Sequence, residues 1–394
     1  MTKTHFQLVG SLLRPASLLT YKNQIEHRDD IQYPFYEALP GYQAAETAAV
    51  KTVIATEKAH GIDVLTDGEY TKSMWHLDFI WGFSGVRRFI ADEGYNFRDH
   101  DGSDFETLYE CADKALYETK VKGKNGFCVY LSGKHHHFID IYQQLKSQAD
   151  GNDVKLTIWS PAHAFVEFGY IDKLYGPDQI YKTVDDLHAG LLGAYKEFLT
   201  DYQAAGGKII QFDDCLWEVF ASDNQQSPFG AGNGSLQELA DVAVNTNNEL
   251  VDFGHQLGLK VWTHNCRGNY ESRHFAEGSY NTIAKKFLHD QHYDRFFLEW
   301  DDDRAGDLSA LKVLEDRPNV EVVLGLLSSK TNTLDDEDRA LRLLTQASQI
   351  LNKNQLYLSH QCGFASCDSG NELTAAQQWA KIDQGQKIAA KFWD

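Results

Sequence analysis

The stretch "LKVWTHNC" (259–266) decides how the chain is to be read. Strand-like residues, Val261 and Trp262, lead into Thr263-His264-Asn265-Cys266. Successive side chains of a strand point to opposite faces, so His264 and Cys266, two apart, share one face if the strand runs that far. Two readings follow. His264 is a hydrogen-bonded loop histidine and Cys266 a small apolar filler, or the pair is half of a metal site whose other half comes from elsewhere in the chain.

Working outward, seven further apolar, β-rich runs end in polar or small residues. They are "FQLVGS" (6–11), "GIDVLTDGE" (61–69), "VKLTIWSP" (154–161), "KIIQFDD" (208–214), "RFFLEW" (295–300), "VEVVLGLLSS" (320–329) and "QLYLSHQC" (355–362). Near-continuous hydrophobic runs suit parallel strands buried on both faces. Helical patterns fall between most of them, at 44–61, 186–207, 236–258 and 335–354, and a last one at 373–393 closes the chain. The helix at 335–354 carries acids in its first turn, where the helix dipole favours them. Eight strands alternating with helices predict an α/β fold, a (β/α)8 TIM barrel, as a single domain over 1–394. The interval 85–153, with the hairpin-like "YETKVKGKNGFCVYL", reads as an insertion between strands two and three.

Composition agrees with a globular enzyme-sized chain. It has 394 residues, 42% hydrophobic and 24% charged, with a net charge of −20. That acidic balance argues against nucleic acid or anionic membrane as partners. No apolar run approaches a membrane span, and the opening "MTKTHFQLVGSLLRP" lacks a secretory signal. A cytoplasmic location is expected. Six scattered cysteines (111, 128, 215, 266, 362 and 367) then stay reduced.

In a barrel of this kind, chemistry sits at the C-terminal ends of the strands. The polar residues there are Ser11, Asp67, Glu69, Ser160, Asp213, Asp214, His264, Cys266, Glu299, Ser328, Ser329, His360 and Cys362. Four of them, His264, Cys266, Glu299 and Cys362, make a zinc-type donor set of thiolate, imidazole and carboxylate. His360 and Cys367 are the rival ligands. "KHHHF" (134–138) lies in the expected insertion, and three adjacent histidines do not face one way, so no site is assigned to it. Asp301 to Asp303 read as a solvated loop.

These segments together resemble the C-terminal catalytic domain of the cobalamin-independent methionine synthase family, and more closely its single-barrel relatives. "VGSLLRP" resembles the family's opening glycine-serine turn, "DVLTDGE" its strand ending in Gly-Glu, and "IIQFDD" its strand ending in an essential aspartate. "THNC", "FFLEW" and "LSHQCG" resemble the segments bearing the family's His, Cys, Glu and Cys zinc ligands. The resemblance implies zinc as cofactor, held by His264, Cys266, Glu299 and Cys362. It implies a methyltransferase that joins a small thiol, homocysteine, to a methyl group from 5-methyltetrahydrofolate or another folate-like donor. Glu69 and Asp213 become the catalytic and substrate-binding carboxylates for the α-ammonium, with Ser11 at the carboxylate. Trp75 and His76 in "KSMWHLDFIWGF" (72–83), and Trp217, become rings for a donor to stack on. A homo-oligomer is compatible with all of this.

The ligand types suit that chemistry. Free thiols have a pKa near 8.5 and react as thiolates. A metal-bound thiol is deprotonated outright. Hydrolytic zinc sites typically use His and carboxylate with an open water position, so two cysteines lean toward thiol alkylation. The chain departs from the family in three places. It has one barrel where the full enzyme has two. Strand seven ends in Ser328-Ser329 where a histidine handles a proton, and Asp214-Cys215 replaces the usual Glu-Pro. Three alternatives therefore stand beside methionine formation: an alkyltransferase for another thiol or electrophile, a zinc hydrolase, and a non-enzymatic zinc-binding barrel.

Overall fold

A computed structural model describes residues 4–25, 28, 30–88, 96–98, 104–106, 115–116, 131–171, 174–177, 179–222 and 236–394. Seven parallel strands form one curled sheet in strict chain order. They are β1 (Val64–Leu65), β2 (Asp153–Trp159), β3 (Ile209–Asp213), β4 (Lys260–Asn265), β5 (Arg295–Glu299), β6 (Glu321–Leu327) and β7 (Leu356–His360). All but β1 match the sequence expectation within a few residues. β1 is cut short because Gly68 and Glu69 both adopt left-handed backbone (φ 65° and 57°), which turns the chain out of the ladder.

The first run, 6–11, was expected as a strand and forms only one bridge, Phe6 to Leu358 on β7. The reason is visible in its carbonyls. The buried Lys155 Nζ on β2 takes the carbonyl oxygens of Leu8 and Val9, both at 2.8 Å. Those acceptors are thereby lost to a ladder. The segment still spans both free edges of the sheet. Gln7 N–H donates to Leu358 O (2.9 Å) on one side, and Leu12 N–H donates to Gly68 O (2.9 Å) on the other.

Helices cover the outside of the sheet: Tyr42–Ala59, His137–Gln148, Val184–Ala204, Leu236–Gln256, Glu337–Ser348 and Ala375–Trp393. Their starts are capped as the sequence allows. The Thr183 and Asp336 side chains accept from the third residue on, and Thr374 with Gln377 closes a capping box. His137–Gln148 packs between Tyr42–Ala59 and Val184–Ala204 as part of this outer layer. Within 85–153, Arg87–Arg88 pairs antiparallel with Ala115–Leu116, and Asn96–Arg98 with Asp104–Glu106. The hairpin-like stretch at 117–131 lies, but for its last residue, outside the described residues. "KHHHF" is structural in two of its three histidines. His136 caps the helix His137–Gln148 and packs among Phe79, Phe83 and Phe198, while His137 sits against Tyr33 and Tyr36.

Inside the curl, alternate strand residues meet. Val9, Ile209, Trp262, Phe297, Val323 and Tyr357 form an apolar layer. Below it, Arg295 lies between the rings of Trp262 (4.0 Å) and Tyr357 (4.3 Å) and binds Glu321 through Nε at 2.8 Å. No helix among the described residues is long and apolar enough to cross a membrane.

Candidate metal centre

Strand register sets the site. Asp213 on β3 pairs with His264 on β4, and His264 with Phe297 on β5, two residues before Glu299. Cys266 follows the end of β4 and Cys362 follows the end of β7. The donor atoms of His264, Cys266 and Cys362 all lie within 4.8 Å of one another, and all three residues are buried. Neither ring nitrogen of His264 meets the geometry of a hydrogen bond, although the Cys266 sulfur lies close enough to act on the ring. A buried imidazole with both nitrogens unused costs on the order of 1–3 kcal/mol per unmet group unless a ligand takes it up. The donor chemistry and the orphaned ring therefore fit a zinc-type ion.

The thiols share one charge. Cys215, whose Sγ lies 3.4 Å from that of Cys266, and Cys362 hold the Cys266 thiol well below the usual range despite burial. The contact with Cys266 pushes the Cys215 and Cys362 thiols up, and burial adds to that. For His264, burial opposes the charged form, but the Cys266 thiolate, Asp213 and Glu299 outweigh it and the net shift is upward.

Glu299, the fourth expected ligand, lies outside this donor group. Its Oε2 accepts from the Arg267 N–H (2.7 Å), and its Oε1 from Arg304 Nη2 (3.2 Å). Lys330 Nζ stands 3.6 Å from Oε1 and has no hydrogen-bond partner. Asp301 was read as part of a solvated loop. Its side chain is instead only 7% exposed, beside Lys330 and Arg304, and desolvation with the Glu299 charge pushes its carboxyl up to about 7. Two buried arginines near the site are already engaged: Arg14 is spent on the carbonyls of Ala365, Glu69 and Lys72. Arg267 is spent on Gly278 O and Asn265 Oδ1.

The substrate-side residues are placed as follows. Glu69 sits at the strained turn after β1, where a left-handed non-glycine residue costs about 1–2 kcal/mol. Its Oε1 accepts from Lys72 Nζ (3.0 Å) and from the Thr157 hydroxyl. Glu69 thus already has an ammonium partner inside the chain. The Asp213 carboxylate accepts from Gln211 Nε2 (2.7 Å), and burial plus the Glu69 charge push it up to about 6. Ser11 Oγ accepts from the Ala365 N–H (3.3 Å), and Gly363 approaches so closely that a Cβ there would lie 1.9 Å from Ser11 Oγ. Ser329 spends its hydroxyl on Gly363 O.

Trp75 and His76 are half-buried and meet Trp159 and His163 in one ring cluster. Centroids are 4.9 Å apart for His76–Trp159 and 5.2 Å for Trp159–His163. Trp217, expected as a donor-facing ring, is corrected. Its indole is fully buried, donates to Asp214 Oδ2 (3.1 Å) and stacks on Phe287. Asp214 is a structural acceptor, also holding Asn247 Nδ2 (2.8 Å). The rival ligands point elsewhere. His360 packs against Phe6 and Phe364, and Cys367 contacts Ser369 Oγ at 3.0 Å.

Sequence reasoning missed His163, Lys72, Cys215 and Glu218. His163 stands in the first turn after Ser160-Pro161, near enough to Cys266 to feel its charge. Cys215 Sγ is 3.4 Å from Cys266 Sγ. Register, which only the structure supplies, brings the cysteines together: Asp213 and His264 are paired, so the residues two further on, Cys215 and Cys266, emerge side by side.

No protein-family model matches the chain. Among solved structures, a putative vitamin-B12-independent methionine synthase from Listeria monocytogenes superposes with TM-score 0.67 at 23% identity, covering 98% of this chain and 97% of that one. A B12-independent methionine synthase from a Shewanella species, in complex with selenomethionine, gives TM-score 0.66 at 18% identity, with coverage of 98% and 97%. These likenesses establish a shared fold. Two uncharacterized Bacillus subtilis proteins are nearer in sequence. YxjH is 33% identical over 353 residues, spanning 88% of this chain and 85% of its own length. YxjG is 31% identical over 355 residues, with the same coverage. At that identity and over that length, the chain belongs to the family of YxjH and YxjG.

Proposed function

We propose that this protein is a zinc-dependent methyltransferase built on a (β/α)8 barrel, with an insertion at about 85–153, and that it acts in the cytoplasm. It activates a small thiol, homocysteine, for methyl transfer from 5-methyltetrahydrofolate or another donor, giving methionine. The observation that carries this reading is the convergence of His264, Cys266 and Cys362, with an unpartnered imidazole, at the C-terminal ends of the strands. The fold shared with two methionine synthases supports it.

His264, Cys266 and Cys362 would hold the zinc, with Glu299 as the expected fourth ligand. Zinc bound there supplies one thing, a coordinated thiol kept as thiolate at neutral pH. The chain's own residues do the rest. Asp213 is the freer of the two carboxylates and takes the substrate ammonium, whose charge offsets the repulsion from Glu69. Glu69, fixed by Lys72 and Thr157, walls that pocket. Ser11 and the nearby backbone amides meet the substrate carboxylate. Trp75, His76, Trp159 and His163 offer a half-open face for a flat donor and keep water from the thiolate.

The test is methionine formation, followed by mass spectrometry, from zinc-loaded protein and homocysteine. Methyltetrahydrofolate (mono- and triglutamate) and methylcobalamin are the parallel donors. Methionine from the folate supports the reading in full. Methionine from methylcobalamin alone keeps the thiol half and changes the donor. None from any donor, with zinc at one per chain, moves the assignment to another thiol or electrophile. That second reading is favoured by one observation: Ser329 spends its hydroxyl on Gly363 O, and Ser328 cannot act as the imidazole expected at that strand end.

A further inference from the structure

We propose that Cys215 is a third sulfur donor of the metal centre. The inference rests on the metal-site reading above and puts Cys215 in the place of Glu299 as its fourth ligand. Two overlapping donor groups share the Cys266 sulfur: His264–Cys266–Cys362, and Cys215–Glu218–Cys266, each with all atoms within 4.8 Å of one another. The second group carries its own sign of a missing partner. Glu218 is 5% exposed, and its Oε2 has no hydrogen-bond partner. Cys215 and Glu218 stand one turn apart at the start of the helix Leu216–Ala221, so both side chains fall on the face toward Cys266.

Distance and competition both favour sulfur over Glu299. Two thiolates on one tetrahedral zinc, each at about 2.3 Å, lie roughly 3.8 Å apart. Cys215 Sγ is 3.4 Å from Cys266 Sγ, so a shift of a few tenths of an ångström suffices. Glu299, whose two oxygens accept from the Arg267 N–H and from Arg304, lies outside both donor groups. Three thiolates and one imidazole are an accepted zinc set without it, and the substrate thiol would enter by expansion of that shell or by displacing one ligand. In this arrangement Glu299 holds Arg304 and Lys330 beside the centre and is a positioning residue.

The experiment loads the full chain with cobalt(II) in place of zinc, measures metal per chain, and records the thiolate-to-cobalt charge-transfer absorption. Wild type, Cys215→Ser, Cys362→Ser and Glu299→Gln are compared. The expected result is one metal per chain and a loss of about a third of that absorption in Cys215→Ser, matching the loss in Cys362→Ser, with little change in Glu299→Gln. A Cys215→Ser spectrum that superimposes on wild type, while Cys362→Ser still loses intensity, overturns the proposal and leaves the metal reading standing. A wild-type chain that binds neither zinc nor cobalt overturns both. Should Cys215→Ser fail to fold, iodoacetamide footprinting of the wild type decides. Cys215 is expected to be alkylated several-fold faster after chelation than with zinc bound. Equal rates overturn the proposal. So does protection that survives chelation but yields to a reductant, which would identify a Cys215–Cys266 disulfide.

Discussion

The two ends of the sheet interior treat their buried polar groups in opposite ways. At the N-terminal end, Lys155 Nζ donates to Leu8 O, Val9 O and Gln211 Oε1 (2.6 Å). Arg295 binds Glu321 and Gln7 and is sandwiched by two rings. Tyr357 OH donates to the other Glu321 oxygen (2.8 Å). At the C-terminal end, both nitrogens of His264, Oε2 of Glu218, Nζ of Lys330, Nε1 of Trp159 and Nδ1 of His163 have no hydrogen-bond partner. A closed polar network specifies the fold. An open one leaves buried groups unmet until something binds, so the open end is where function is to be sought.

The comparison breaks most severely at the closed end. Glu321→Ala leaves the Arg295 guanidinium buried without its carboxylate. The expected loss is about 3 kcal/mol of stability, the lower end for a buried pair because Glu321 is partly open to solvent. Urea unfolding measures it. Metal affinity should not move. A variant that unfolds normally yet binds zinc poorly would show that the two ends are not separate systems.

At the open end the pattern reverses. Cys266→Ser removes the sulfur common to both donor groups. Zinc affinity should fall by more than the roughly 10–100-fold that loss of an outer-sphere partner costs, and activity should fall with it. Stability of the metal-free protein should change little, since Cys266 holds together no part of the core network. Competition against a chelating dye reads the first effect and urea unfolding the second. Asp213→Asn sharpens the division further. It should keep zinc and raise KM for the thiol by about tenfold, the effect of weakening one charge-assisted contact. If it sheds zinc instead, Asp213 belongs to the metal centre and its assignment to the substrate is wrong.

How much of this was legible in the sequence follows from what each feature depends on. β2 to β7 were readable because their burial on both faces leaves long apolar runs. The donor residues were readable because they end those runs. The first segment was misread as a strand, since nothing in "FQLVGS" shows that a lysine 150 residues away will take its carbonyls. Trp217 was misread because a residue two beyond Cys215 on a short helix points about 200° away from it, into the core. Cys215 and Glu218 were missed because their importance is a contact between two strand ends, and a single sequence prints register nowhere. Glu299 looked like a ligand by type and place. Its engagement by Arg304, five residues on, is a matter of side-chain direction.

A third kind of buried polar group tests the comparison at its finest. Glu57 is fully buried on the helix Tyr42–Ala59, under the end of β1. Its Oε2 accepts from the Thr66 N–H (2.9 Å), and its Oε1 lies 2.8 Å from Thr66 Oγ1. That hydroxyl has one proton, and Gly10 O stands 3.1 Å away as a second acceptor. The Thr66 proton goes to Glu57, the nearer acceptor, while the carboxylate is ionised; a neutral Glu57 can donate to Thr66 in turn and free that proton for Gly10 O. Burial, helped by the Asp67 charge, pushes Glu57 up to about 8 against the pull of the Thr66 bonds. The folded state holds this proton where the unfolded chain, with a carboxyl near 4.5, has released it. The stabilisation is thus full below the unfolded value and is lost as pH rises through the folded one. Between pH 7 and 9 the protein should lose on the order of 1 kcal/mol from this group. Glu57→Gln can make the same two bonds, donating from Nε2, and carries no proton to lose. Its urea midpoint should fall less than that of the wild type over the same interval. Parallel pH slopes for the two proteins would mean that Glu57 is ionised in the fold, and that this network, too, is open.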